Sequence, residues 1–231
     1  MTVVLVVGCA TVGVVIGAWL ELVVARVPEK VALTSGPTFG PEGIGWRARP
    51  VLLAVVTGAV AAGLAVRFHD SWALPAYLVF GVALVALTAI DLETYLLPNR
   101  IVFPLAGAGI ALLAVAAVAD DDWAAYLRAL LGGAVGFGAF IVLFAISPRA
   151  LGFGDVKLAF VLGLYLGWLG WGEVALGFFL GFLYGALIGL VLLVARVRGR
   201  KDPVPFGPFL AAGAITAALW GAEILDWYRG T

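Results

Sequence analysis

The chain has 231 residues, 64% of them hydrophobic and 12% charged, with 14 basic and 14 acidic side chains in formal balance. That composition excludes an ordinary water-soluble domain, and with no basic patch interleaved with aromatics and no phosphate-cradling glycine loop it gives no nucleic-acid or nucleotide partner. Runs such as 73–90 and 174–195 are long enough to cross a hydrocarbon core of about 30 Å, so the expected fold is all-α, a polytopic membrane protein forming one domain over 1–231 with the lipid bilayer as its solvent.

Eight spans are predicted, near residues 3–25, 50–67, 73–90, 100–119, 127–146, 157–171, 174–195 and 205–225. In the first, Val6-Val7-Gly8-Cys9 has a superficial likeness to a lipidation site. The stretch before it lacks a basic start and an adequate apolar run, so Cys9 reads as a small buried thiol and the span as a retained transmembrane helix. As the single cysteine, Cys9 excludes an internal disulfide and a cysteine-based zinc site. Glu21 lies about a turn from Arg26 and is expected to reach the cytoplasmic interface. His69, in a short outer loop with no partner visible in sequence, reads as a solvated side chain.

The third span ends at Asp91, in AIDLETYLLPN. Pro98 prevents the fourth span from starting earlier, so the chain is expected to leave helical geometry before Asn99 and Arg100. Glu93 is given no role. Asp120, Asp121 and Asp122 form an acidic turn able to cap the fifth span. The sixth span opens at Asp155, in LGFGDVKL, where Gly152 and Gly154 permit backbone angles closed to other residues and let a peptide approach beside the carboxylate. Lys157, two positions on, would point away from Asp155 on a helix and is not assigned to catalysis. This short span is read as a crossing, with a re-entrant segment as the alternative. In the seventh span Gly177, Gly181, Gly185 and Gly189 lay a smooth strip along the helix, read as packing within the chain, with a sliding contact for a substrate helix as the alternative. Trp123, Trp168, Trp171, Trp220 and Trp227 lie near span ends, as interfacial tryptophans do.

Charge sets the orientation. With the N-terminus outside, the inner loops hold 11 of the 14 basic residues and only Arg67, Arg128 and Arg229 fall outside. This matches the excess of Lys and Arg in short cytoplasmic loops and places Asp91 and Asp155 on the cytoplasmic side. A re-entrant sixth span would put the VRGRK cluster after residue 195 outside, against the rule.

Carboxylates at the mouths of membrane helices are rare without a use. Two in close contact do not both ionise easily, so they share a proton near neutral pH. One then takes a proton from water while the other polarises a scissile carbonyl, the chemistry of an aspartic peptidase. An Asp at a span end is usually a cap, and a lone Gly-x-Gly-Asp recurs in turns. The weight rests on the two occurring together, in order, on one membrane face.

The stretch from Asp91 to Pro98 and Asn99, followed by Gly152-Phe153-Gly154-Asp155, resembles the bacterial prepilin peptidase family of intramembrane aspartic peptidases. Gly17 to Pro28, GAWLELVVARVP, is similar to that family's first-span motif, and PFGPFLAAG at 205–213 to its closing segment. The resemblance implies Asp91 and Asp155 as catalytic residues, with Gly152, Gly154, Pro98 and Asn99 shaping the site. It further implies cleavage of a leader peptide from a prepilin or pseudopilin, whose apolar helix stays in the bilayer, at the cytoplasmic face of a bacterial inner membrane, in type IV pilus assembly or type II secretion. Two departures stand out: Glu21 sits where the family usually has Asn, and the loop 26–49 lacks the family's paired zinc-binding cysteines. No metal is expected, and proteolysis needs no cofactor. S-adenosylmethionine would serve only the family's second activity, N-methylation of the new amino terminus, which the altered loop leaves open. The competing readings are a presenilin-like or preflagellin-processing protease and a small proton-coupled transporter. The closing PFGP segment favours the prepilin group over the first, and no internal repeat of broken helices supports the second.

Overall fold

An apolar segment in a bilayer has no water to satisfy its backbone, so each such run closes its own N–H and C=O groups as a helix. The computed structural model describes residues 2–26, 49–148, 151–195 and 204–230. Among them are eight helices: α1 (Thr2–Arg26), α2 (Arg49–Phe68), α3 (Leu74–Thr94), α4 (Asn99–Asp120), α5 (Trp123–Ile146), α6 (Phe153–Leu169), α7 (Trp171–Val194) and α8 (Gly207–Arg229). Seven are long and apolar enough to cross a membrane, all but α6, so the protein is an all-α polytopic membrane protein. At 17 residues α6 rises about 25 Å, the short end of the spanning range, and it runs without an internal break.

Helix ends depart from the hydropathy reading where they matter most. α3 continues past residue 90 to Thr94, and α6 begins at Phe153 rather than 157. Polar residues at a span end still make helical hydrogen bonds, which hydropathy does not register. Both Asp91 and Asp155 therefore sit inside terminal helical turns. The expectations for the Glu21 side chain and for the loop 27–48 lie outside the described residues.

Met1–Asp121 forms one compact unit, α1 to α4. α1 and α2 approach backbone to backbone: a Cβ on Gly17 would lie 2.6 Å from the Leu53 carbonyl oxygen. A core of Leu20, Val24, Leu53, Val85, Ala86 and Ile90 joins α1, α2 and α3 and ends one residue before Asp91. Farther along, the Phe68 and Tyr77 rings stack at 3.9 Å. Cys9 is half-buried rather than buried, because α1 presents most of its surface outward. His69 does find neighbours: its ring nitrogens lie 2.9 Å from the Val66 carbonyl and 2.8 Å from Asp70 Oδ2. Both are local in sequence, which is why no long-range partner was visible.

Asp122–Thr231 forms the second unit, α5 to α8. The Asp122 carboxylate caps α5 by accepting the Ala125 N–H at 2.9 Å, as the acidic turn predicted. α6 is its centre, buried along nearly its whole circumference. Gly132 of α5 and Gly163 of α6 face each other so closely that a side chain on either would run into backbone. Trp168 is buried with most of α6, whereas Trp123, Trp171, Trp220 and Trp227 are exposed. In the α7 strip Gly177 packs on Leu166 and Ala217, Gly181 on Leu210, and Gly185 on the Phe206 ring, while Gly189 meets nothing within 4 Å.

Candidate active site

Asp91 occupies the last turn of α3 and is 4% exposed. Its backbone carbonyl accepts the N–H of Tyr95 at 3.0 Å. Tyr95 ends the helix in the left-handed region, φ 54°, ψ 31°, a conformation that costs a side-chain-bearing residue about 1 kcal/mol. Beyond it Leu97 is buried, and Pro98 is extended at φ −68°, ψ 130° as the N-cap of α4. The Pro98 carbonyl accepts the N–H groups of Ile101 and Val102, so α4 starts at Asn99, which is exposed. The proline break predicted between Asp91 and Asn99 is thus a stretch from Tyr95 to Pro98.

An ion pair braces this segment: Arg49 Nη1, at the start of α2, lies 2.8 Å from Glu93 Oε1. Sequence reasoning gave Glu93 no role. The available signal was the charge rule itself, which put Arg49 and the end of the third span on one side.

Asp155 lies in the first turn of α6, 7% exposed. Its Oδ2 accepts the Gly152 N–H at 3.2 Å, while its own N–H donates to the Gly152 carbonyl at 3.0 Å. Gly152, at φ −76°, ψ 146°, adopts angles open to any residue, and Gly154 is helical. Neither uses the freedom expected of it. What Gly152 provides is room, since a Cβ there would sit 3.3 Å from Asp155 Oδ2. Phe153, exposed between the two glycines, is flanked edge-on by Phe144 at 5.6 Å and by the Lys157 ammonium 5.3 Å from its ring centroid. At the opposite end of α6, Arg128 Nε donates to the Gly167 carbonyl at 2.8 Å and Nη2 to that of Trp168 at 2.7 Å. Those carbonyls have no partner within their own helix, so Arg128 completes it. The sequence reading treated Arg128 only as an outer-loop charge.

Among the described residues, Asp91 and Asp155 are the buried charged side chains, and there are no others. No cluster of three or more His, Cys, Asp or Glu able to hold a metal ion occurs among those residues.

Residues 78–194 match the type IV leader peptidase family. Curated relatives, each named prepilin leader peptidase/N-methyltransferase, include proteins of Aeromonas hydrophila (32% identical over 78% of this chain and 61% of the relative), Burkholderia pseudomallei strain 1026b (36% over 75% and 55%) and Bacillus subtilis strain 168 (35% over 75% and 67%). The chain thus spans about three fifths of the length of the first of these. No solved structure matches it. The family match covers half of the chain and takes in both buried aspartates, and the chain belongs to the type IV leader peptidase family.

Proposed function

We propose that this chain is a membrane-embedded aspartic endopeptidase that removes the leader from prepilin-like substrates, with Asp91 and Asp155 as its two catalytic carboxylates and both units serving one membrane domain. The observation that carries the reading is that these two carboxylates are buried where every other described charge is at least partly exposed. Burial of a carboxylate is costly, and membrane helices rarely carry one without a functional use. Family membership supports a prepilin-like substrate, since the relatives are named for prepilin leader removal.

In the proposed reaction one carboxylate takes a proton from water, the resulting hydroxide adds to the scissile carbonyl, and the protonated partner donates a hydrogen bond to the carbonyl oxygen. The tetrahedral intermediate then expels the amine, which leaves with a proton, and no covalent enzyme intermediate forms. We assign proton acceptance to Asp155, because a helix start offers N–H groups and the positive end of the dipole to a carboxylate. Asp91, in a helical turn that ends in carbonyls, takes the polarising role.

The orientation read from charge, N-terminus outside and both aspartates toward the cytoplasm of a bacterial inner membrane, is part of the proposal. So is a prepilin or pseudopilin helix that remains in the bilayer. Transfer of a methyl group is kept separate, because the cysteine-free loop at 27–48 lies outside the described residues.

The test is leader removal from a co-expressed pilin-like protein, followed by mass measurement of its amino terminus. Asp91→Asn and Asp155→Asn are each expected to abolish cleavage with wild-type amounts of protein in the membrane. Ordinary processing by either variant removes that residue from the mechanism. A methyl increment on the mature terminus in the wild-type sample would add the second activity.

A further inference from the structure

The contacts that hold the last turn of α3 are not equivalent. The Tyr95 N–H donates to the Asp91 carbonyl, and Thr94 Oγ1 donates to the Ile90 carbonyl at 2.9 Å. Both bonds hold the turn to itself. The pair between Arg49 and Glu93 is different, because Arg49 opens another helix. Residues two apart on a helix face nearly opposite ways. Glu93 shares a face with Ile90, three residues before it, so the ion pair and the Ile90 core hold one side of the turn while Asp91 lies nearly opposite Glu93.

We infer that Arg49 and Glu93 are positioning residues, whose ion pair fixes the last turn of α3 and with it the reach of the Asp91 carboxylate. The inference rests on the catalytic reading of Asp91 given above. Arg49 is 26% and Glu93 45% exposed at the side chain, and pairs this open contribute little to overall stability. Their effect is on placement. A shift of about 1 Å in a catalytic group costs on the order of a hundredfold in rate, so a partial loosening shows in turnover before it shows in folding.

The experiment uses the purified full chain in detergent micelles and a fusion substrate with a basic leader, a Gly–Phe junction and an apolar helix. Glu93→Gln and Arg49→Gln are each expected to lower kcat on the order of tenfold, with KM and thermal midpoint near wild type. The reversed pair, Arg49→Glu with Glu93→Arg, recovers most of the lost kcat, which a generally loosened fold would not do. Wild-type kcat in both single variants beside an inactive Asp91→Asn enzyme overturns the inference alone. A reversed pair as slow as the single variants overturns it too. An active Asp91→Asn enzyme overturns the catalytic reading beneath it.

Discussion

Asp91 and Asp155 are both buried aspartates, at opposite kinds of helix end. The first turn of α6 has unpaired N–H groups, and Asp155 takes one of them from Gly152, three residues away. The last turn of α3 has carbonyls instead, so its bracing is made elsewhere: the left-handed Tyr95 closes it, and Arg49 reaches it from α2. The contrast extends along each helix. α6 is buried along most of its length after the exposed Phe153 and completed at its far end by Arg128, whereas α3 leads into the exposed residues Tyr95 and Leu96. A carboxylate at a helix start is held by its own motif, and one at a helix end depends on tertiary contacts.

Three substitutions sharpen that contrast, in decreasing order of effect. Arg128→Met removes the donors that satisfy the α6 carbonyls and is expected to destabilise the protein by about 2 kcal/mol, read as a lowered thermal midpoint in detergent. An unchanged midpoint would mean that those carbonyls find other donors. Gly152→Ala places a methyl group 3.3 Å from the Asp155 carboxylate and should slow cleavage about fivefold, equivalent to about 1 kcal/mol, with little change in stability. Full activity would show that the room beside the carboxylate is not used. Tyr95→Gly is the smallest, relieving the left-handed conformation for a gain of under about 1 kcal/mol. A clear drop in midpoint would show instead that the tyrosine ring holds the end of α3.

What the sequence disclosed follows the same division. The helices and the motif at Asp155 were legible because their determinants are local: apolar runs of spanning length, the Pro98 break, the Asp122 cap and the glycines before Asp155. The brace between Arg49 and Glu93, and Arg128 on the α6 carbonyls, were not, because each joins residues of different helices and no local pattern encodes it. The burial of Trp168 was hidden for a related reason, since it comes from the neighbours that enclose most of α6. The glycines of the motif were found for the wrong cause, since Gly152 contributes space and not an unusual backbone angle.

If the two aspartates act as one unit, their losses are not additive. The direct measurement is residual cleavage of the fusion substrate by purified Asp91→Asn, Asp155→Asn and the double variant under identical conditions. The predicted result is a common floor, with each single variant as inactive as the double. A double variant measurably slower than either single one, or a single variant that retains wild-type turnover, would contradict a shared site.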